Sequence, residues 1–232
     1  MLLTPILRLC FRIKIEGREF LPTSGPVIVA ANHRSFLDSI FLPLVLKRRI
    51  TFVAKAEYFD DPKTAWLFRA VGQIPIRREG GSASQGALAA AADVLNDGGL
   101  FGIYPEGTRT RDGVTHRGHT GIARLALETG APIVPVGLIG SEDCMPTGAK
   151  FPHLFRTVRI RFGAPMDFRR YADRANDRLT LRQITDEVMF EIFELSGYEY
   201  RNTYATKPGQ EAGAHDMPAP VVKIATLEPV AC

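Results

Sequence analysis

Apolar and polar residues alternate across Phe11-Arg12-Ile13-Lys14-Ile15-Glu16, the period of a strand with one covered face. They give way to the unbroken apolar run Val27-Ile28-Val29-Ala30-Ala31, which reads as a strand covered on both faces. A helix-like stretch from Phe36 to Leu46 follows. Further strands are predicted at Thr51 to Ala54, Ile74 to Arg77, Leu100 to Tyr104, Ile133 to Leu138 and Val158 to Phe162. Helices are expected around Asp61 to Arg69, Gln85 to Asn96, Thr120 to Glu128 and Leu179 to Leu195. This alternation predicts an α/β fold, a single domain with a largely buried central mixed sheet flanked by helices, and leaves the strand order open.

Two ends of the chain break the pattern. The segment from Met1 to Arg12 gathers large apolar residues with basic ones behind them, a composition suited to an interfacial helix, while a helix docked on the protein's own core is the competing reading. From Arg201 onward Ala, Pro, Gly and polar residues dominate, and such a stretch buries little apolar area against its ordering entropy. The expected organisation is therefore one domain over residues 1–200, including the N-terminal segment, and a flexible tail over 201–232.

Composition narrows function only slightly. A net charge of +4 is compatible with nucleic acid, anionic lipid or phosphorylated small molecules as partners. Cys10, Cys144 and Cys232 lack the spacing of a disulfide framework or a structural zinc site, which points to a reducing, intracellular compartment. No apolar run reaches the roughly 20 residues that span a bilayer, so membrane contact is expected at the surface.

The chemistry concentrates in Asn32-His33-Arg34-Ser35-Phe36-Leu37-Asp38, where a buried strand passes into a helix. A turn between His33 and Asp38 can place a carboxylate against the imidazole. The carboxylate would fix the tautomer and stabilise the imidazolium formed when the ring takes a proton from an alcohol. A substrate hydroxyl can itself be the nucleophile, and no G-x-S-x-G elbow is present. Ser35 reads as a helix cap or backbone support.

A second segment, Tyr104-Pro105-Glu106-Gly107-Thr108-Arg109-Thr110, also follows an apolar strand. Gly107 permits close backbone approach, Thr108 can donate a hydrogen bond, and Arg109 can grip an anion through its guanidinium fork. Glu106 can either orient Arg109 or bond to substrate hydroxyls. Between the two segments, Gly72-Gln73-Ile74-Pro75-Ile76-Arg77-Arg78 delivers basic residues at a strand end, with Arg78 the preferred second phosphate contact. Ala131 to Gly137 reads mainly as core, with Pro135 shaping the site wall.

Together these segments resemble the glycerolipid acyltransferase family, which includes bacterial 1-acylglycerol-3-phosphate acyltransferases. Asn32-His33 followed by four residues ending at Asp38 resembles its first block, Gly72 to Arg78 its second, Pro105-Glu106-Gly107-Thr108-Arg109 its third and Ile133-Val134-Pro135-Val136 its fourth. Pro75 stands where members often carry an aromatic residue. The resemblance implies His33 as general base, Asp38 as its partner, and Arg78, Glu106, Gly107, Thr108 and Arg109 as acceptor-binding residues. It implies transfer of a fatty acyl group from acyl-CoA or acyl carrier protein, without a further cofactor or metal, to the free hydroxyl of 1-acylglycerol 3-phosphate, forming phosphatidic acid. Another lysophospholipid or polar lipid alcohol is the alternative acceptor. The expected partners are an anionic lipid membrane surface, the lysophospholipid and the thioester donor, with peripheral attachment on the cytoplasmic side of the cell membrane.

Two other classes draw on less. A metal hydrolase would take ligands from His33, Asp38, His116 and His119, but the His116-Arg117-Gly118-His119 spacing matches no recognised metal signature. The basic and aromatic residues form no clear nucleic-acid recognition surface, so no nucleic acid is expected as partner.

Overall fold

The computed structural model describes residues 9–70, 72–76, 83–146 and 148–206. Much of the proposed N-terminal interfacial segment, together with Arg77 and Arg78, lies outside the described residues, as does residue 207 onward.

Seven strands build the main sheet: β1 (Arg12–Glu16), β2 (Val27–Ala31), β3 (Ile50–Lys55), β4 (Ile74–Ile76), β5 (Leu100–Ile103), β7 (Ile133–Ile139) and β8 (Thr157–Phe162). A short β6 (Thr115–His116) pairs separately with β9 (Tyr200–Arg201). The order across the sheet is β1-β8-β7-β2-β5-β3-β4, and every neighbouring pair is parallel except the antiparallel β7 and β8. The sheet is thus mixed, as the alternating pattern predicts.

Among the described residues the α-helices with full bounds are α1 (Asp38–Val45), α2 (Glu57–Asp60), α3 (Pro62–Ala70), α4 (Ala83–Asn96), α5 (Gly121–Thr129), α6 (Ser141–Cys144) and α7 (Arg178–Ser196). Strand β2 shows why both faces of the sheet are covered. Side chains alternate across a strand, so Val27, Val29 and Ala31 pack with Phe41, Leu42 and Val45 of α1, whereas Ile28 and Ala30 pack on the other face with α4, α5 and α7. All five β2 residues are fully buried. The edge strand β1 has one covered face and exposes Arg12, Lys14 and Glu16, charges that discourage edge-to-edge pairing.

The longest helix among the described residues, α7, is started by Asp177, whose carboxylate accepts the N–H groups of Leu179 and Thr180 at 3.1 and 3.2 Å. The chain does not leave the domain where the composition changes. Beyond residue 200 it pairs as β9, and Thr203 and Tyr204 contact His116 and His119. The short β6, β9, α2 and α6 carry too few residues to show a period and are absent from the sequence-based expectation.

Candidate active site

Adjacent parallel strands β2 and β5 release their following loops at the same edge of the sheet, which brings His33 beside Tyr104. Just after β2, Asn32 is buried and its side chain extends the strand pairing: Nδ2 donates to the carbonyl of Leu138 at 2.8 Å, and Oδ1 accepts the Leu138 N–H at 2.7 Å. The turn that starts there is thereby locked to β7.

The turn folds onto one carboxylate oxygen. Asp38 Oδ2 accepts the backbone N–H groups of Arg34 and Ser35, each at 2.8 Å, and lies 2.9 Å from His33 Nδ1. An ionised carboxylate only accepts, so Nδ1 is the protonated nitrogen and Nε2 carries the free lone pair. Asp38 has no exposed surface, and its other oxygen lacks a partner among the described residues. A carboxylate set 2.9 Å behind the ring is placed to stabilise an imidazolium.

Ser35 supports this turn without capping α1. Its hydroxyl donates to the Met145 carbonyl at 2.9 Å and accepts the Leu37 N–H at 3.3 Å, and the helix cap itself is Leu37. Arg34 is buried with its guanidinium 3.8 Å from the centre of the Tyr198 ring and Nε 3.0 Å from Glu142 Oε1. The Tyr198 hydroxyl donates to that same oxygen at 2.6 Å. The turn is thus clamped from α6 and from the chain that leaves α7.

Stacked rings fix the imidazole plane. His33 lies 3.9 Å from Tyr104 at 11°, and Tyr104 lies 5.4 Å from Phe52 at 15°. Gly102 makes room for this stack, because a Cβ there would sit 2.1 Å from the Phe52 ring. The Tyr104 hydroxyl pairs with Ser39 Oγ at 3.0 Å. Burial, followed by the charge of Asp38, holds the Tyr104 phenol well above its ordinary range despite that bond, so the group is neutral.

The loop after β5 grips the backbone on both sides of His33. Glu106 Oε1 accepts the His33 N–H at 3.3 Å, and the His33 carbonyl accepts the Thr110 N–H at 2.8 Å. Glu106 Oε2 accepts from the Thr110 hydroxyl and the His116 N–H, both at 2.8 Å. Burial raises the Glu106 pKa, with the bonds from His116, Thr110 and His33 opposing it. Both oxygens of this buried carboxylate hold the two loops together, an assignment that the motif spacing alone does not reveal.

Gly107 is exposed at the tip with φ of 73°, and a Cβ there would stand 3.0 Å from His119 Cδ2. Thr108 and Arg109 are half-buried beside it, and Arg109 makes no ion pair or side-chain hydrogen bond among the described residues. His116 is engaged by Asp112, at 3.1 Å from Nε2, and by the Thr203 carbonyl, at 3.2 Å from Nδ1. His119 stacks on Tyr204 at 4.7 Å. Among the described residues no three His, Cys, Asp or Glu side chains gather as a ligand set.

Three residues after His33 in sequence, Phe36 lies 6.1 Å from Tyr58 and 5.9 Å from Phe68, and these last two rings stack at 4.8 Å. The sequence alone does not mark the supporting roles of Tyr104, Arg34 and Asn32. Tyr104 precedes Pro105 and Arg34 adjoins His33, but only the tertiary pairing of β2 with β5 and β7 reveals what they touch.

The fold and this edge define an α/β protein with a buried carboxylate bonded to one nitrogen of a partly exposed imidazole, a pair chemically suited to taking a proton from an alcohol. The chain belongs to the acyltransferase family, whose model matches residues 12–139. It is 34% identical over 157 residues to the chloroplastic 1-acyl-sn-glycerol-3-phosphate acyltransferase LPAT1 of Arabidopsis thaliana, covering 67% of this chain and 44% of the plant protein. It is 30% identical over 140 residues to a 1-acyl-sn-glycerol-3-phosphate acyltransferase of Bacillus subtilis, covering 60% of this chain and 68% of that protein. The crystal structure of the 1-acyl-sn-glycerophosphate acyltransferase PlsC from Thermotoga maritima superposes with a TM-score of 0.63 at 29% identity, covering 79% of this chain and 72% of the other. The chain spans less than half the length of the plant relative.

Proposed function

We propose that the protein transfers a fatty acyl group from an acyl thioester, on coenzyme A or acyl carrier protein, to the free hydroxyl of 1-acylglycerol 3-phosphate at a membrane surface. The observation that carries this reading is the Asp38-His33 pair, held from both sides by the Glu106 loop. The relatives named for the same acceptor support the choice of substrate.

In this reading His33 Nε2 accepts the hydroxyl proton as the alcohol oxygen bonds to the thioester carbonyl carbon. The carbon–sulfur bond then breaks, the carbonyl re-forms, and the imidazolium returns its proton to the departing thiolate. Asp38 stabilises the charged ring throughout. Arg109 and Thr108 receive the acceptor's phosphate at the loop tip, with Arg78 as a second contact. Gly107 lets that phosphate approach the backbone, and Glu106 positions His33. The half-buried rings of Phe36 and Tyr58, backed by the buried Phe68, offer apolar surface to an acyl chain. Attachment in this reading is peripheral and on the cytoplasmic side. No helix among the described residues is long and apolar enough to cross a bilayer.

A matched panel of acceptors with acyl-CoA and acyl carrier protein donors tests the assignment. Turnover of 1-acylglycerol 3-phosphate above uncharged and differently headed lysolipids is expected. Preference for another lysophospholipid would replace the acceptor and keep the reaction class, and absence of transfer to any lipid alcohol would overturn the reading.

A further inference from the structure

Seven consecutive residues, Lys150-Phe151-Pro152-His153-Leu154-Phe155-Arg156, form a loop in which Phe151, Leu154 and Phe155 are 80%, 47% and 65% exposed. Three large apolar side chains held in water within five positions call for a partner. The loop is built, because Phe155 N–H donates to the Cys10 carbonyl at 2.7 Å, His153 N–H to the Cys144 carbonyl at 2.7 Å, and Arg12 N–H to the Arg156 carbonyl at 3.0 Å. Phe155 sits at φ of 64°, a conformation that bulky residues avoid, and these bonds hold it there with its ring outward. Leu9, at 80% exposure, adjoins the residue that receives the Phe155 bond.

The topology places this patch at the edge that carries the site. Strand β8 runs antiparallel to β7, so it begins where β7 ends, and β1 begins beside it. The carboxyl ends of β7 and β2 share that edge. Ser35 of the catalytic turn bonds the Met145 carbonyl, in the segment that leads into the loop. By contrast Phe20, another exposed ring, follows β1 at the opposite edge.

We propose that Leu9 and the Lys150–Arg156 loop enter the interface of an anionic bilayer and hold the site's edge against the lipid surface. Charge favours this occupant over an apolar protein face. Lys150 and Arg156 bracket the apolar residues, and Arg12, Lys14 and Arg159 are exposed on the two strands that start there, against Asp143 as the exposed acidic residue nearby and Glu16 farther along β1. Apolar side chains sinking into the headgroup region while flanking cations meet anionic lipid is the combination that gives reversible, salt-sensitive binding. The inference rests on the proposed lipid-directed function for its choice of partner, and its test does not require turnover.

The direct probe is the full chain carrying Phe155→Trp with Trp66→Phe, the latter removing the single native tryptophan. It is mixed with vesicles of phosphatidylglycerol and phosphatidylcholine containing brominated acyl chains. Bromolipid quenching of its emission, weakened at high salt, is expected. In parallel, Phe151→Ser with Phe155→Ser should lower vesicle affinity by about tenfold while activity on a dispersed short-chain acceptor is kept. Unquenched emission with undiminished vesicle binding of the double variant would overturn the proposal. So would a dimer in light scattering that the double variant abolishes while its vesicle binding is unchanged, since that assigns the patch to a second copy. Quenching without any acyl transfer would keep the surface and remove the functional reading.

Discussion

Glu106 accepts the backbone N–H of His33 at 3.3 Å, joining segments 73 residues apart at the residue proposed as base. The carboxylate is spent on the protein's own loops: one oxygen on His33, the other on Thr110 and His116. Its proposed part in acceptor handling is therefore indirect, through the position of the imidazole and the shape of the loop that carries Arg109.

Glu106→Gln replaces one accepting oxygen by a donor that faces another donor. A stability loss of about 1–3 kcal/mol at neutral pH is expected from the unmade buried hydrogen bond. The pH dependence gives a second readout. Burial raises the Glu106 pKa above its ordinary 4.5, so the folded state binds this proton more tightly than the unfolded chain does. Its contribution to folding is full below the ordinary value and is lost as pH rises through the raised one. Denaturant titrations at stepped pH should show that component in the native protein and lack it in Glu106→Gln; equal pH dependence in both would contradict the assignment.

Tyr104 should matter for its ring and little for its hydroxyl. Tyr104→Phe keeps both stacks and loses the bond to Ser39, worth about 1 kcal/mol, so turnover should stay close to that of the native protein. Tyr104→Ala removes the surface against His33 and Phe52, costing about 3 kcal/mol of stability and freeing the imidazole to leave its reactive orientation. Thermal unfolding with single-turnover rates below the melting range separates the two effects, and a folded Tyr104→Ala with native rates would refute a positioning role.

How far the residues alone lead is clearest at β2. Its five apolar residues predict a doubly covered strand, and the five-residue step from His33 to Asp38 predicts a turn that closes imidazole on carboxylate, because both features are local. Tyr104 and Asn32 act across longer separations. Asn32 meets Leu138 after an interval of 106 residues, and nothing in either neighbourhood encodes that register. The β6–β9 pair is two residues long on each side, too short for any period, so the composition change near residue 201 outweighs it in a reading by pattern. Arg78 lies outside the described residues, so its place in the site rests on the strand-end spacing and the resemblance.

Arg109 is half-buried at the tip of its loop. If it meets the acceptor's phosphate, Arg109→Ala should reduce use of a phosphorylated acceptor by about ten- to a hundredfold, the value of a charge-assisted contact. An uncharged analogue should be affected far less. Comparing kcat/KM for the two acceptors checks this, and an equal loss for both would mean that the arginine supports the loop.

In the proposed reaction His33, charged against Asp38, carries the hydroxyl proton during acyl transfer, and single-turnover transfer to 1-acylglycerol 3-phosphate from a saturating acyl thioester measures that step. The native protein should be compared with His33→Ala and Asp38→Asn, each shown to be folded by circular dichroism and to bind the acceptor. A fall of about a hundred- to ten-thousandfold in the chemical step is expected for His33→Ala and a smaller but large fall for Asp38→Asn, with acceptor binding nearly unchanged. Folded variants that transfer the acyl group at the native rate would contradict it.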